Sequence, residues 1–239
     1  MKKILSVAVL GSTGYVGLEL VKILIRHPNI QIKFLGCENS PSKDIREFDQ
    51  NIVIDTLPKL DLNNNFDPKN YDLVFLSLPH GVSHKFVKNF NRKIKIIDLS
   101  ADFRLDSEKL YSKNYNNDHA CPELLNQFIY GLPEINKDVL NTNFDVAVPG
   151  CYPTSVLIPL IPLLEKNLIK TDNIIIDSKS GYSGAGKKFD LNNIKNKLEF
   201  NFYNYNTNEH RHICEIQQEL DKHSDQKIIF SFNPHILPI

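Results

Sequence analysis

The sequence has little of what would place it in several large classes of protein. Its 28 basic and 28 acidic residues leave no net charge, so nothing indicates a general affinity for nucleic acid or an anionic membrane. It has no run of 18 apolar residues, which a transmembrane helix would need. The four cysteines lie far apart without a C-x-x-C pair, which argues against a zinc site and a disulfide framework. We expect a cytoplasmic protein with no metal site and no nucleic-acid or membrane partner.

The N-terminal part of the chain follows the pattern of a dinucleotide-binding unit. An apolar, β-branched run from Ile4 to Leu10 predicts a strand that is buried on both faces. Apolar residues at helical spacing follow, up to Pro28, and a second strand is predicted from Ile30 to Gly36. The turn between the first strand and the helix is rich in glycine and consists of Gly11, Ser12, Thr13, Gly14, Tyr15, Val16 and Gly17.

The three glycines of this turn suit a bound pyrophosphate. Gly11 permits the tight turn, Gly14 lets the backbone approach the phosphates, and Gly17 lets the helix pack close to the sheet. The N-terminus of the helix would then face the phosphates. A glycine turn in an α/β fold can also be purely structural, but the strand before it and the helix after it favour a cofactor site.

The residues after the second strand bear on the choice between NAD and NADP. Glu38 lies about 20 residues beyond Gly17, where an acid would hold the ribose hydroxyls of NAD. Lys43 and Arg46 are close enough in sequence to reach the 2′-phosphate of NADP. Both cofactors stay open at this point, and Glu38 could equally be a solvated loop residue.

Two later predicted strands lead into candidate site residues. Tyr71–Leu78 runs into a tight turn, and the carboxyl ends of strands are where a doubly wound sheet meets its ligand. Ile94–Leu99 precedes Arg104, which could clamp an anion or pair with a nearby aspartate. His80 fits a loop-fixing hydrogen bond better than a catalytic role. The tight turn consists of Pro79, His80 and Gly81.

Two segments of this part of the chain lack strong periodicity. Asp61–Asn70 is polar and rich in asparagine, which predicts a surface loop. Ser107–Phe128 predicts short helical pieces joined by loops. Neither segment supplies a candidate site residue.

Cys151 is the residue around which the candidate chemistry is arranged. The run Asp145–Val148 predicts a short strand, and Val156–Lys166 predicts a helix with Pro153 in its first turn, where a missing N–H costs nothing. Cys151 therefore lies where a strand leads into a helix, whose positive end and free N–H groups favour a thiolate. A lone cysteine is more often a small buried hydrophobic residue, so only the rest of the chain favours a nucleophile.

The C-terminal part of the chain adds more polar groups. A predicted strand, Asn173–Ser178, opens into a loop rich in glycine and lysine that suits an anionic substrate but also a plain surface loop. A predicted helix that begins near His210 and His212 runs to Leu220. The two histidines are two residues apart and do not share one helical face, which is poor spacing for a metal pair. Further strands are predicted over Glu199–Asn206 and Lys227–Phe232.

These elements predict an α/β fold in two units. A doubly wound, Rossmann-type dinucleotide-binding domain is expected over residues 1–145. An α+β catalytic and dimerisation domain is expected over residues 146–239.

Seven motifs, in order along the chain, resemble those of the N-acetyl-γ-glutamyl-phosphate reductases, which are relatives of aspartate-semialdehyde dehydrogenase. The glycine turn is shared with many dehydrogenases, whereas the cysteine, glycine-loop and histidine motifs together are specific. The motifs are Gly11–Gly17, Leu78–Gly81, Ile97–Leu105, Tyr130–Glu134, Pro149–Thr154, Lys179–Gly186, and His210–His212 with Glu215.

The resemblance implies NADPH-dependent reduction of N-acetyl-γ-glutamyl phosphate to the semialdehyde in arginine biosynthesis, by a homo-oligomer, dimer or tetramer. NAD is not excluded as the cofactor. Cys151 would be the nucleophile, with His210 the first and His212 the second choice for the acid/base. The residues implied for the substrate are Arg104, Ser180, Lys188, Arg211 and Glu215. Those implied for the cofactor are Gly11, Ser12, Thr13, Gly14, Tyr15, Val16, Gly17, Glu38, Lys43, Pro79, His80, Ser180 and Gly181.

Three features depart from the family pattern. Val148 stands where the family has asparagine, and the usual Ser-Arg after the second strand is not evident. Family members continue past the end of this sequence, so we expect the catalytic domain to be incomplete at its C-terminal end. Two alternatives stay open: a sister enzyme acting on an aspartyl or acetylated aminoadipyl phosphate, and a truncated, inactive dinucleotide-binding protein.

Overall fold

A computed structural model describes residues 3–54, 56–90, 93–140, 145–186 and 201–237 of the chain. Its larger sheet has seven strands in the order β3-β2-β1-β4-β5-β7-β6, and every neighbouring pair runs parallel. The order reverses beside β1, which creates the crevice where such sheets bind ligands. The strands are β1 Leu5–Leu10, β2 Ile30–Cys37, β3 Leu60–Leu62, β4 Leu73–Leu76, β5 Lys95–Asp98, β6 Phe128–Tyr130 and β7 Asp145–Ala147.

The β1 strand is buried on both faces, as its continuous apolar run predicts. Ala8 and Leu10 belong to the hydrophobic core on one face of the sheet, and Val7 and Val9 belong to the core on the other. Four helices accompany this sheet among the described residues, and they are α1 Tyr15–Leu24, α2 Ser83–Lys88, α3 Glu108–Tyr115 and α4 Pro133–Leu140. Both sheet faces are therefore covered, and the carboxyl edge stays available for a site.

A second, smaller sheet has three strands in the order β8-β10-β9. Its elements are α5 Cys151–Glu165, β8 Ile174–Gly181, β9 Tyr203–Asn204, α6 His212–Asp221 and β10 Phe230–Leu237. The helices α5 and α6 share a hydrophobic core that includes Leu157, Ile216 and Leu220. This packing places both helices against the same small sheet.

Three predicted boundaries are wrong. The loop over Asp61–Asn70 begins inside β3, which the sequence hides because an edge strand tolerates polar residues. The helix predicted from Val156 begins at Cys151, because a proline among the first residues of a helix gives up no intrahelical hydrogen bond. The strand predicted over Lys227–Phe232 lies later, at β10, because it pairs residue for residue with β8.

Other predictions are only partly covered by the described residues. The strand predicted over Glu199–Asn206 is reduced to β9, and its first two residues lie outside the described residues. The large sheet ends with β7, close to the predicted division between residues 1–145 and 146–239, which stays a proposal. Within the described ranges, no helix is both long and apolar enough to cross a membrane.

Candidate active site

Cys151 is the first residue of α5, and its side chain is exposed. Two other cysteines, Cys37 and Cys121, are only 1% and 0% exposed and are small residues of the core. Gly150 precedes the helix with extended backbone angles, and no side chain caps the helix at this position. The thiol therefore lies at the positive end of a helix and within reach of a substrate.

The turn before Cys151 is held by a buried carboxylate. Glu215, in the first turn of α6, accepts hydrogen bonds at Oε1 from the Gly150 N–H at 2.8 Å and from the Tyr130 hydroxyl at 2.8 Å. Its other oxygen lies 3.5 Å from Nη1 of Arg104. The resemblance implies a substrate contact for Glu215. In the structure, both carboxylate oxygens of Glu215 instead contact groups of the protein itself.

Arg104 is buried and joins three parts of the chain. Its Nε donates to the Val148 carbonyl at 2.7 Å, and its Nη2 donates to the Leu99 carbonyl at 2.9 Å. A guanidinium has five N–H groups, so Arg104 retains donors beyond those used here and beside Glu215. Its role as an anion clamp stays a prediction. The alternative, an ion pair with a nearby aspartate, had the wrong partner, because the ion pair that Arg104 makes is with Glu215.

Both predicted histidines lie beside the turn that carries Cys151. A Cβ added at Gly150 would be 2.9 Å from Nε2 of His212 and 3.0 Å from Nη1 of Arg104, so all three groups meet there. The ring centroids of His210 and His212 are 4.8 Å apart. Both rings also contact Tyr152, at 5.4 and 5.9 Å between centroids. The structure therefore brings the cysteine and histidine motifs together.

Hydrogen bonds fix the position of the proton on His210. The main-chain N–H of His212 donates to Nδ1 of His210 at 3.1 Å, so the neutral ring carries its proton on Nε2. That nitrogen faces the hydroxyl of Tyr205 at 3.4 Å, and Tyr205 in turn lies 3.2 Å from the hydroxyl of Tyr152. Tyr152 donates to the His235 carbonyl at 3.1 Å. His210 thus begins a chain of hydroxyl groups that reaches the neighbour of Cys151.

Burial keeps both histidines neutral. His210 and His212 are 8% and 6% exposed. Desolvation lowers the pKa of His210 to about 4, with the nearby Arg211 acting in the same direction. Desolvation also lowers the pKa of His212 to about 2, helped by the charges of His210 and Arg104. At neutral pH each ring is therefore uncharged and can donate from only one nitrogen.

The His212 ring has an unusual feature of its own. Its Nδ1 is buried and has no hydrogen-bond partner among the described residues. A buried donor without a partner costs more than an acceptor with a spare lone pair, so the tautomer with its proton on Nε2 is favoured. That proton points toward the Gly150 turn.

A cationic residue lies at the mouth of the cluster. Arg211 is exposed, and its guanidinium carbon lies 5.6 Å from the ring centroid of Tyr115. The positive charge of Arg211 contributes to the lowered pKa values of both histidines. Ser180 and Gly181 end β8. Burial raises the pKa of the Tyr152 hydroxyl, and a hydrogen bond with the Ser180 side chain acts in the opposite direction. Lys188, also predicted for the substrate, lies outside the described residues.

The glycine turn after β1 fits a dinucleotide. A Cβ added at Gly11 would lie 2.2 Å from the Ser77 carbonyl oxygen, and one at Gly17 would lie 2.3 Å from the Gly11 oxygen. A Cβ at Gly14 meets only that oxygen, at an ordinary 3.5 Å, and otherwise faces open space. Gly14 is also the uncapped residue before α1. The turn is thus closed on the protein side and open where phosphates approach a helix N-terminus.

Of the other side chains in the turn, one is buried and supports the turn, and two are exposed to solvent. Ser12 is fully buried, and its hydroxyl donates to the Gly36 carbonyl at 2.9 Å, so its side chain supports the turn from inside. Tyr15 and Val16 are 40% and 56% exposed in the first turn of α1. Thr13, which precedes them in the turn, is half-buried. The Ser12 hydroxyl therefore supports the turn, and the part of Ser12 in cofactor binding stays a prediction.

The carboxyl edge beyond β2 and β4 holds the other predicted cofactor residues. Glu38 and Lys43 are exposed after β2, and Lys43 lies 3.7 Å from the Glu47 carboxylate. Beyond β4, Pro79 and His80 are exposed. Nδ1 of His80 accepts the Ala101 N–H at 2.9 Å, which is the loop-fixing hydrogen bond that the sequence predicts. These residues and the glycine turn share one edge of the sheet.

Sequence reasoning missed three residues that shape the site. Asn63 accepts the Gly11 N–H at 3.0 Å and so caps the glycine turn, but it lies in a polar stretch with no distinguishing signal. Tyr130 contacts Glu215, and Tyr205 contacts His210. Tyr130 does lie in a family-like motif, so its position could have been suspected.

Two family models match the chain. Residues 6–143 match the model described as semialdehyde dehydrogenase, NAD binding domain. Residues 151–239 match the model described as semialdehyde dehydrogenase, dimerisation domain. Solved structures agree on the fold: aspartate semialdehyde dehydrogenase II from Vibrio cholerae superposes with a TM-score of 0.70 at 17% identity, covering all of this chain and 71% of its own.

Relatives at higher identity narrow the family. An N-acetyl-gamma-glutamyl-phosphate reductase from Ehrlichia canis (strain Jake) is 42% identical over 98% of this chain and 68% of its own length. A probable chloroplastic N-acetyl-gamma-glutamyl-phosphate reductase from Arabidopsis thaliana is 37% identical over all of this chain and 59% of its own. The chain thus spans about two thirds of the length of such relatives. The resemblance drawn from the motifs is confirmed, and the chain belongs to the N-acetyl-gamma-glutamyl-phosphate reductase family of semialdehyde dehydrogenases.

Proposed function

We propose that the cluster around Cys151 is the catalytic centre for NADPH-dependent reduction of N-acetyl-γ-glutamyl phosphate to N-acetylglutamate 5-semialdehyde and phosphate. The observation that carries this proposal is the exposed thiol at the start of α5, beside the two neutral histidines at the start of α6. Two helix N-termini meet there, so an anionic substrate is favoured by both dipoles.

The sulfur of Cys151 carries the covalent steps. Its thiolate attacks the acyl carbon, a C–S bond forms, and the C–O bond to phosphate breaks with phosphate taking the electron pair. The nicotinamide, when bound, supplies the hydride that reduces the resulting thioester. The C–S bond of the reduced adduct then breaks, the semialdehyde leaves, and Cys151 is again a thiolate. Because Cys151 is exposed, its proton can pass to solvent before the first step.

His210 holds the proton that the oxyanion needs. The His212 N–H occupies Nδ1, so the resting ring donates from Nε2 and accepts a proton only after that hydrogen bond breaks. A neutral imidazole can stabilise a developing oxyanion as a hydrogen-bond donor. His212 is the second choice for this role, since its ring lies against Gly150. Arg211, Ser180, Lys188 and the spare donors of Arg104 are proposed for the phosphate and carboxylate groups.

The cofactor would lie along the carboxyl edge of the large sheet. The glycine turn would hold the pyrophosphate, with Glu38 and Lys43 as candidate contacts for the adenosine end and Pro79 and His80 for the nicotinamide end. Ser180 and Gly181 would approach it from the small sheet. We propose NADP as the physiological cofactor, which the match to an NAD binding domain leaves open.

Two further proposals concern the oligomeric state and the cellular compartment of the enzyme. The match to a dimerisation domain supports a homo-oligomer, and we propose a dimer or tetramer built through residues 146–239. A mechanism that uses a reduced Cys151 requires a reducing compartment, so we propose the cytoplasm.

The reverse reaction gives a direct test. With N-acetylglutamate semialdehyde and phosphate, the protein should reduce NADP, and omitting phosphate should abolish the signal. Aspartate semialdehyde and the acetylated aminoadipate semialdehyde serve as matched competitors, and preference for either would replace the proposed substrate. Tight NADPH binding without turnover of any of the three would favour a silent dinucleotide-binding protein instead.

A matched pair of glycine variants tests the cofactor turn. Gly14→Ala should fold normally, within about 0.5 kcal/mol of wild type, because its methyl group meets no close neighbour. It should nevertheless weaken NADPH binding by about tenfold or more, equivalent to ~1.4 kcal/mol, because that methyl occupies the open face. Gly17→Ala should instead destabilise the fold by roughly 1–3 kcal/mol, because its methyl would overlap the Gly11 oxygen.

Calorimetry with NADPH and denaturant titration separate the two effects. Unchanged cofactor affinity in Gly14→Ala would show that the dinucleotide does not approach this turn.

A further inference from the structure

The structure assigns to Glu215 a positioning role: its buried carboxylate holds the turn before Cys151 in place by a hydrogen bond. Through its ion pair with Arg104, Glu215 also connects that turn to the cofactor side of the large sheet. The inference rests on the proposed role of Cys151 as the nucleophile. It differs from the substrate contact that the family resemblance implies for Glu215.

The contacts of Glu215 are all made inside the protein. Its side chain is 1% exposed, and its Oε1 accepts one hydrogen bond from the Gly150 N–H and one from the Tyr130 hydroxyl. Its Oε2 faces the buried guanidinium of Arg104. Because the proposed substrate is an anion, a carboxylate facing it would repel it. The inward direction of Glu215 therefore fits a role in holding the protein and not the substrate.

Arg104 extends this link to the cofactor edge. It donates to the carbonyl of Val148, on the cysteine side, and to the carbonyl of Leu99, at the end of β5. The segment that follows Leu99 is fixed to the turn after β4, since Nδ1 of His80 accepts the Ala101 N–H at 2.9 Å. Asp102 in the same segment accepts the Gly81 N–H at 2.8 Å.

This series of bonds connects the predicted nicotinamide side of the site to the nucleophile. A shift of about 1 Å in a reacting group can cost about 100-fold in rate, so a carboxylate that fixes this distance has a large effect without touching substrate.

Substitution of Glu215 separates positioning from substrate binding. Glu215→Gln replaces the carboxylate with a neutral amide, which weakens the hydrogen bond from the Gly150 N–H and removes the charge that holds Arg104. We expect kcat to fall by about 10- to 100-fold while KM stays within about twofold. Tyr130→Phe removes one donor to Oε1 and should lower kcat by a smaller factor, also with KM unchanged. Glu219→Gln is the matched control, because Glu219 lies on the same helix, is buried, and pairs with Lys222 at 2.8 Å.

A readout without substrate completes the test. The chain has 10 glycines, so a spectrum of the 15N-glycine-labelled protein resolves the Gly150 amide. In Glu215→Gln this amide should lose about tenfold or more of its hydrogen-exchange protection, whereas Glu219→Gln should leave it unchanged. An unchanged Gly150 amide together with a raised KM would overturn the inference and restore the substrate contact. Because amide exchange needs no turnover, its result stands even if the proposed reaction fails.

Discussion

Cys151→Ser should bind NADPH as the wild type does and lose turnover by about 10³-fold or more. The hydroxyl is a far weaker nucleophile than a thiolate at neutral pH, and removing the nucleophile of an enzyme that forms a covalent intermediate typically costs several orders of magnitude. The change is nearly isosteric and Cys151 is exposed, so the folded state should be preserved. Steady-state assay of the reverse reaction and calorimetry with NADPH measure the two quantities separately.

Cys214→Ser provides the matched control for this variant. Cys214 is half-buried in the first turn of α6, and its thiol donates to the Arg211 carbonyl at 3.0 Å, a bond that a serine hydroxyl can replace. Burial raises the pKa of Cys214 to about 11, so it stays a thiol at neutral pH and is a poor nucleophile. Near-normal turnover in Cys151→Ser, or a comparable loss in Cys214→Ser, would end the covalent proposal for Cys151.

The position of Cys151 follows from local sequence patterns. A short apolar strand, a glycine and a proline within a few residues predict that Cys151 lies between a strand and a helix, although the helix begins five residues earlier than predicted. The glycine turn is equally local, because its three glycines follow directly from backbone approach and helix packing. Such features depend on residues that are neighbours in sequence, so they can be predicted from a single sequence.

The direction in which a polar side chain points was harder to predict. Glu215 follows His212 by three residues and so shares its helical face, which placed it near the site but did not reveal that it turns toward Gly150. Asn63 caps the glycine turn from a polar stretch far along the chain. Tyr205 reaches His210 from a two-residue strand. These contacts are set by tertiary packing, for which a single sequence carries no periodic signal.

Substitution of each histidine by asparagine distinguishes their contributions to kcat. His210→Asn should lower kcat by about 10²- to 10⁴-fold, because it removes the Nε2–H that we propose serves the oxyanion. An asparagine at this position can still accept the N–H of residue 212 with its side-chain oxygen, so the local turn should survive. His212→Asn keeps the main-chain N–H that fixes the tautomer of His210. It should therefore cost less in kcat, although the smaller side chain leaves a cavity beside Tyr152.

Acid titration of stability gives an independent check on His210. Burial lowers its pKa from the ordinary 6.5 to about 4, so between these values the unfolded chain binds a proton that the folded chain does not. The free energy of unfolding should consequently decrease as the pH falls from 6.5 toward 4, and His210→Asn should remove part of this slope. Urea titrations at several pH values measure it. An unchanged slope would mean that His210 is not held neutral in the folded protein.

A remote histidine with the same local hydrogen bond completes the comparison. Nδ1 of His27 accepts the main-chain N–H of Asn29 at 3.3 Å, two residues on, just as His210 accepts that of His212. His27 is exposed, lies three residues beyond the last residue of α1, and is far in sequence from Cys151. His27→Asn should therefore retain full kcat, since the same substitution is made beside the same local hydrogen bond without the cysteine nearby. If His212→Asn proves the more damaging of the two site variants, the acid/base role passes from His210 to His212.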